Sequence, residues 1–299
     1  MPVLSAALTD LGLRRPANED SYVSRPGLGL HVVCDGMGGH AAGEIASRVA
    51  ADAIEAFVQQ TEGVAASFTW PFRYNPDWGV DGNRLVCALR LANKEIAQRV
   101  IDEPALRGMA TTAVCLLLSK PQSVSRAGEG AGESRGDRDG TSPFDVAPAS
   151  ARSAQGNMRE ESTGTQALFA HVGDSRAYLW RDGQLDQLTR DHSWVEEQVS
   201  LGVLNEAEAR QHPWRNLVTR ALAGADEPKV ELTPLSLEPG DRVLLCSDGL
   251  TSPLSNAVIG EMLARAPAGR PDELCQALVD AANEAGGPDN ITVIVVEVT

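Results

Sequence analysis

Apolar and polar positions follow each other along this chain in a pattern that changes from segment to segment. Short, nearly continuous apolar runs stand in the segments HVVCDG, TTAVCLLLS, QALFAHVGD, LLCSDG and NITVIVV. Runs of this length that end in Gly, Ser or Asp are typical of buried β-strands. The pattern therefore predicts several buried strands.

Elsewhere, apolar residues recur at a helical spacing. The three clearest stripes are Ile45, Val49, Ala53 and Phe57; Leu85, Leu89 and Ile96; and Leu274, Leu278 and Ala281. Apolar residues three or four positions apart lie on one face of an α-helix. We expect an amphipathic helix in each of these segments.

A hairpin signal sets the direction of two neighbouring strands. The segments AYLWR and QLDQL flank Asp182-Gly183, and a type I′ turn needs positive φ at both central positions, which this pair tolerates. Strands clustered as hairpins, with helices in separate blocks, favour an α+β fold over a βαβ repeat. A sandwich of antiparallel sheets with helices outside would fit.

The composition changes abruptly over residues 120–164, which contain few large apolar residues, many Gly and Ser, and mixed charge. Such a segment buries too little apolar surface to offset the entropy lost on ordering, so we predict a disordered surface insertion. Strand-like runs stand on both sides of it. We therefore interpret it as a long loop within a single domain that spans residues 1–299.

Composition and charge limit the classes of function that this chain could have. The chain has 299 residues, 42% hydrophobic content and a net charge of −15, and this acidity argues against nucleic acid as a partner. Without a long apolar run or a secretory signal pattern, we expect a soluble, cytoplasmic monomer with no membrane span. The five cysteines are far apart in apolar segments, so we expect free, buried thiols.

An aspartate stands at the edge of each of four apolar runs, and these are Asp35, Asp174, Asp248 and Asp289. One such aspartate is most often a turn former or a helix cap. Four of them, with Gly36 and Gly249 allowing close backbone approach, indicate a shared site. Carboxylates that one sheet brings together would raise each other's pKa unless a cation held them, and hard oxygen ligands suit Mg²⁺ or Mn²⁺.

The segment LGLRRPANEDSYV adds a candidate for phosphate binding. Arg15 can grip a phosphate bidentately, and Glu19 with Asp20 could hold metal-bound waters at the head of another strand. By itself, this motif fits a solvated turn equally well.

Taken together and in this order, seven motifs resemble those of the metal-dependent protein phosphatases of the PPM, or type 2C, family, bacterial branch. They are RPANED, CDGMGGHAAGE, GMATTAV, HVGDSRAYL, LTRDHS, LLCSDGL and GGPDNITV. The resemblance implies a four-layer αββα fold, in which helices flank a central antiparallel β-sandwich. It also implies hydrolysis of phosphoserine and phosphothreonine in proteins, in opposition to a bacterial Ser/Thr kinase.

The resemblance implies two Mn²⁺ or Mg²⁺ ions as cofactors. Asp35 would bridge the two metals, the Gly36 carbonyl would be a further ligand, and Asp248 and Asp289 would complete the pair. A hydroxide that bridges two such cations is available near neutral pH for in-line attack on phosphorus, so no covalent enzyme intermediate is needed.

Other positions match supporting roles in the family. Glu19 and Asp20 match acidic residues that hold metal-bound waters, and Arg15 matches the arginine that binds the substrate phosphate. His40 is a candidate proton donor to the leaving oxygen, although a histidine at a helix start is as often structural.

A third, weaker metal site of bacterial members is also implied. Asp174 and Asp248 match its carboxylates, and Asn216 stands where relatives often have serine. Asn216 lies in the segment that matches the mobile flap of the family. At the start of this segment, Ser193 and Glu196 form an S-x-x-E capping box, which predicts a helix. The DHS sequence, which ends at Ser193, can therefore be explained by a structural role, and no catalytic role is needed for Asp191 or His192.

Three alternatives compete with this interpretation, and we interpret the first as a chance match. The sequence DRDGT at 137–141 matches phosphatases with an aspartyl-phosphate intermediate, but it lies in the insertion and not at the end of a buried strand. A cation-binding regulatory module and an inactive, phosphatase-like protein would both keep the fold. Loss of Asp35, Asp248 or Asp289 would favour the inactive protein, and all three are present. Metal-dependent turnover distinguishes the enzyme from both.

Overall fold

The computed structural model describes residues 2–38, 42–119 and 164–299. Its strands are β1 (Val3–Asp10), β2 (Asp20–Arg25), β3 (Leu30–Met37), β4 (Ala110–Thr111), β5 (Ala113–Leu118), β6 (Thr165–Val172), β7 (Arg176–Arg181), β8 (Gln184–Gln187), β9 (Glu231–Leu237), β10 (Arg242–Cys246) and β11 (Ile291–Val298). Its helices are α1 (Ala42–Gln60), α2 (Gly79–Asp102), α3 (Trp194–Ser200), α4 (Glu206–Gln211), α5 (Asp248–Thr251), α6 (Asn256–Arg265) and α7 (Pro271–Glu284).

The strands form two antiparallel sheets. The first sheet has the order β1-β11-β10-β7-β8, and the second has the order β2-β3-β5-β6-β9, with β4 paired to β3. One apolar cluster, which includes Val114, Phe169 and Ile294, lies between the sheets. A second cluster joins α1 and α2 to the second sheet, and a third joins α5, α6 and α7 to the first sheet. This is the predicted sandwich with helices on both faces.

The helical stripes appear where the spacing predicts them, with one shift. Leu85, Leu89 and Ile96 are fully buried on α2. On α1, however, the most buried face carries Ala46, Ala50 and Ile54, while the predicted stripe of larger residues packs mainly along its edge. Ala46 and Ala50 are the small residues of this face, which packs against the second sheet.

The hairpin between β7 and β8 has the predicted turn, with φ of 51° at Asp182 and 81° at Gly183. The strands on either side of the insertion, β5 and β6, are direct neighbours with Ala113 opposite Val172. This pairing supports a loop within one domain, which remains a prediction because residues 120–163 lie outside the described part. The DRDGT sequence lies there as well.

Two smaller expectations can also be compared with the structure. All five cysteines are free and buried. Ser193 caps α3 by accepting from the Glu196 N–H at 3.3 Å, but the Glu196 carboxylate pairs with Arg190 instead of closing the capping box. Within the described ranges, none of the helices combines the length and apolar character needed to cross a membrane.

Candidate metal and phosphate site

Five aspartates converge at one end of the sandwich. Asp20 begins β2 and Asp35 lies directly opposite it near the end of β3, while Asp174 follows β6 in the same sheet. Asp248 follows β10 and Asp289 precedes β11, both in the first sheet. The expectation that one sheet gathers the carboxylates is therefore wrong. Two stacked sheets supply them, because strand ends of both sheets reach the same edge.

Desolvation and repulsion from neighbouring carboxylates raise the pKa values of Asp20, Asp35, Asp174 and Asp248. Desolvation raises the pKa of Asp35 well above its usual range, with further contributions from the charges of the other four aspartates. Burial likewise raises the pKa of Asp20 to about 7, that of Asp174 to about 7 and that of Asp248 to about 6. At neutral pH the cluster thus favours either protons or cations.

The donor set fits divalent cations with hard oxygen preference. The cluster offers carboxylate oxygens, which suit Mg²⁺ and Mn²⁺ better than zinc or copper. Arg15 and Arg176 offset part of the negative charge at Asp248. A divalent cation would relieve the remaining repulsion, which is the physical case for a metal centre here.

Hydrogen bonds from two threonines hold Asp35 in place. Thr112 Oγ1 accepts from the Asp35 N–H at 3.2 Å, and Thr111 Oγ1 donates to the Asp35 carbonyl at 2.8 Å. The Thr112 hydroxyl also lies 2.6 Å from Ser175 Oγ, next to Asp174. The GMATTAV motif thereby ties two of the aspartates to each other.

Ser247 joins the two sheets at the cluster. Its fully buried hydroxyl donates to Asp20 Oδ2 at 2.8 Å and accepts from the Thr292 N–H at 3.0 Å. Asp20 belongs to the second sheet, whereas Thr292 belongs to the first. This hydrogen-bonded bridge fixes the relative position of carboxylates that come from different sheets.

Two glycines allow the close backbone approach that the sequence predicted. A Cβ at Gly36 would lie 2.1 Å from the Gly43 carbonyl oxygen, and a Cβ at Gly249 would lie 1.9 Å from the Asn290 carbonyl oxygen. The Gly36 N–H also donates to the Glu19 carbonyl at 3.1 Å. Larger residues at either position would force apart the segments that carry the acidic side chains.

Arg15 lies at the exposed edge of the cluster. Its Nη2 donates to Asp289 Oδ2 at 2.5 Å, and its side chain is 46% exposed. Burial raises the pKa of Glu19, while the charge of Arg15 lowers it. The structure thus brings Arg15, Glu19 and the aspartates together, with the guanidinium open to solvent.

Two predicted site residues are not brought to the cluster. His40 lies outside the described residues. Asn216 is exposed in the turn that follows α4, and none of the hydrogen bonds or electrostatic contacts found among the described residues joins it to Asp174. Its role in a third metal site stays a prediction.

Asp191 and His192 of the DHS sequence contact neighbouring segments of the fold. Asp191 forms a bidentate ion pair with Arg176. His192 Nδ1 accepts from the Gly173 N–H at 3.0 Å, and its Nε2 lies 2.9 Å from a Glu231 oxygen. These contacts attach the start of the flap segment to the loop before Asp174.

One compact group outside the cluster could also hold a metal. Candidate ligand atoms of His171, His192 and Glu231 lie within 4.8 Å of one another, whereas the aspartate oxygens of the described residues form no group of three that is so compact. Hydrogen bonds already occupy this His–Glu group, including one from Arg220 to Glu231.

Sequence reasoning missed the polar residues that support the aspartates: Thr111, Thr112, Ser175, Ser247 and Asn290. Ser175, Ser247 and Asn290 each stand next to a predicted ligand in the sequence, whereas Thr111 and Thr112 reach Asp35 from a separate motif. Their signal was the presence of small polar residues at the ends of apolar strands, where a buried hydroxyl or amide needs a partner.

Comparisons with known proteins show which family this chain resembles. The family described as Stage II sporulation protein E (SpoIIE) matches residues 159–299. Serine/threonine protein phosphatase PstP of Mycobacterium tuberculosis is 35% identical over 98% of this chain, which spans only 44% of that protein. Protein phosphatase PhpP of Streptococcus pneumoniae is 33% identical, covering 97% of this chain and 95% of PhpP.

A solved structure shows the same architecture. The catalytic domain of PstP, in complex with 2 manganese ions, superposes with a TM-score of 0.71 at 32% identity, over 99% of each chain. With relatives this similar along nearly its whole length, the chain belongs to the bacterial branch of the PPM, or type 2C, family of protein phosphatases.

Proposed function

We propose that this protein is a metal-dependent phosphatase that hydrolyses phosphoserine and phosphothreonine in proteins. The observation that carries the proposal is the convergence of five aspartates beside a half-exposed arginine, with burial raising the pKa values of Asp20, Asp35, Asp174 and Asp248. Carboxylates that resist ionisation at neutral pH are suited to binding cations, and the arginine is suited to binding an anion.

In this proposal, two Mn²⁺ or Mg²⁺ ions bind at Asp35, the Gly36 carbonyl, Asp248 and Asp289. Glu19 and Asp20 orient water molecules around them. Two divalent cations lower the pKa of water towards neutrality and neutralise charge on phosphoryl oxygens, which is the chemistry that hydrolysis of a phosphate monoester requires.

The remaining residues act on the substrate and at a weaker site. The exposed guanidinium of Arg15 binds the phosphoryl group, which it can reach by exchanging its contact with Asp289. His40 donates the proton to the leaving oxygen. Asp174, with Asp248 and Asn216, holds a third and weaker metal, and the electrostatic contact between Asp174 and Asp248 supports that pairing.

We also propose the cellular setting. Phosphorylated Ser/Thr proteins are the substrates, and a bacterial Ser/Thr kinase supplies them. The names of the bacterial relatives support this assignment. We further propose that the protein acts in the cytoplasm, as a monomer, through a single catalytic domain.

The test is phosphate release from a phosphothreonine peptide with Mn²⁺, Mg²⁺ or chelator. We expect metal-dependent release, and we expect Asp248→Asn to lower it by roughly 100-fold or more because a ligand is lost. Asp52→Asn, which changes an exposed aspartate on α1, should release phosphate at the wild-type rate. Folded wild-type protein that releases no phosphate with either metal would overturn the proposal in favour of a binding role.

A further inference from the structure

Asn290 holds the segment between β1 and β2 through its side-chain amide. This residue is 4% exposed and directly follows Asp289. Its Oδ1 accepts from the Glu19 N–H at 2.8 Å, and its Nδ2 donates to the Leu11 carbonyl at 2.9 Å and to the Ala17 carbonyl at 3.0 Å. One amide thus makes three hydrogen bonds to backbone groups about 270 positions away in the sequence.

The segment that Asn290 holds, residues 11–19, carries two of the proposed functional side chains, Arg15 and Glu19. It lies tightly against the loop before β11. The Leu13 N–H donates to the Gly287 carbonyl at 2.8 Å, and a Cβ at Gly12 would lie 2.1 Å from the Asp289 carbonyl oxygen. The position of this segment therefore depends on contacts with residues 287–290.

Only an amide of this length meets the three requirements at once. The site needs one acceptor for an N–H and two donors for carbonyl oxygens, which is what a neutral carboxamide offers. Aspartate has no donors when it is ionised, and alanine would remove the side-chain partner of the backbone groups of Glu19, Leu11 and Ala17.

We infer that Asn290 is a positioning residue that places Arg15 and Glu19 relative to Asp289. This inference rests on the proposed function, because only that function gives Arg15 and Glu19 their roles in binding phosphate and orienting water. Asn290 and Asp289 are adjacent in the chain, so the residue that holds the segment moves together with a proposed metal ligand. Loss of the amide would let the phosphate-binding arginine and the water-orienting glutamate drift away from the metals.

A matched control is available on α2. Asn93 is 6% exposed, and it also makes three hydrogen bonds to the backbone of a loop, namely to Ala223, Gly224 and Asp226. That loop lies outside the aspartate cluster. Asn290→Ala and Asn93→Ala therefore remove the same number of hydrogen bonds from the same kind of residue, but only the first touches the proposed site.

The experiment compares these variants in thermal melting, Mn²⁺ binding by calorimetry, and steady-state turnover of a phosphothreonine peptide. We expect both variants to lower Tm. Only Asn290→Ala should weaken Mn²⁺ binding, by about 10- to 100-fold, and raise KM more than it lowers kcat. On an Arg15→Ala background, Asn290→Ala should add little to KM, because the two residues act together.

Several outcomes would overturn the inference. In the first, Asn290→Ala has the same Mn²⁺ affinity and the same KM as Asn93→Ala. In the second, Asn290→Ala raises KM by the same factor in the Arg15→Ala variant as in the wild type. If Asn290→Ala does not fold, Asn290→Ser takes its place. Failure of both to fold, with Asn93→Ala folded, would make the role purely structural. If the wild type releases no phosphate, the proposed function fails, and Mn²⁺ binding alone still tests the positioning.

Discussion

At the scale of single residues, the same desolvation acts on two kinds of buried titratable groups along β3. It raises the pKa of Asp35, and it lowers the pKa of His31 to about 4. His31 is fully buried, and its Nδ1 lies 3.0 Å from Ser24 Oγ. Its Nε2 has no hydrogen-bond partner in the described structure. Desolvation therefore favours the neutral form of both side chains. Only the Asp35 carboxyl lies among other carboxyl groups, with which it could bind a cation.

His31 should make the protein less stable in acid. Its pKa in the folded state is below the unfolded value of about 6.5, so the unfolded chain binds more protons between those values, and stability falls as pH drops from about 6.5 to 4. The loss should reach about 3 kcal/mol at pH 4. Urea unfolding between pH 5 and 7 should show a flatter pH dependence in His31→Gln than in the wild type.

The control for this measurement is His212→Gln, which changes a histidine of the flap segment. This variant shows how far the replacement of an imidazole by an amide changes the free energy of unfolding by itself. An identical slope for His31→Gln and wild type would show that the buried imidazole does not take part in the acid response.

At the scale of elements, the site depends on how closely α1, β3 and the segment before β2 meet. Gly36 on β3 lies against the Gly43 carbonyl of α1 and against the Glu19 carbonyl. A Cβ at Gly43 would lie 2.8 Å from the Glu19 carboxyl carbon. Glycines are required here because backbone atoms of Glu19 and Gly43 and the Glu19 side chain occupy the space that a Cβ would need.

Gly36→Ala should loosen this junction. Its Cβ would lie 2.1 Å from a backbone oxygen, so α1 or β3 must move, at a cost of about 1–3 kcal/mol. We expect a lower free energy of unfolding in urea and weaker Mn²⁺ binding by calorimetry. Gly27→Ala is the control, because a Cβ at Gly27 meets nothing within 4 Å. Equal stability and Mn²⁺ affinity of the two variants would contradict the close-contact argument.

The same scale shows what could be predicted from sequence. Strands such as β5 and β11 and the stripe Leu85, Leu89 and Ile96 followed from local periodicity, which depends on each segment alone. The distribution of strands over two sheets did not, because pairing such as β1 with β11 joins opposite ends of the chain. Asn290 was missed for the same reason, since its three partners lie far away in sequence.

At the scale of the whole molecule, the acidic charge is not evenly spread. The chain carries a net charge of −15, and it places five carboxylates at one edge where two sheets meet. Such a concentration of like charge destabilises the folded state at neutral pH unless protons or cations bind. The stacking of the two sheets therefore creates a site that favours the binding of cations or protons.

This arrangement predicts that stabilisation by Mn²⁺ grows with pH. Burial raises the pKa values of Asp20 and Asp174 to about 7 and that of Asp248 to about 6. Because these values exceed the unfolded value near 3.9, the metal-free folded state binds more protons than the unfolded chain, and these carboxyls destabilise it progressively as pH rises from about 4 to 7. Mn²⁺ must displace those protons at low pH but not above pH 7.

The difference in Tm between Mn²⁺ and chelator should therefore be small at pH 5.5 and large at pH 7.5. Asp248→Asn should reduce this difference at pH 7.5, because one carboxylate ligand is lost, whereas Asp52→Asn should keep the wild-type response. A difference in Tm that is equal at both pH values would mean that Mn²⁺ stabilises the fold somewhere other than at these titrating carboxyls. A growing difference that Asp248→Asn abolishes would place the stabilising ion where the two sheets meet.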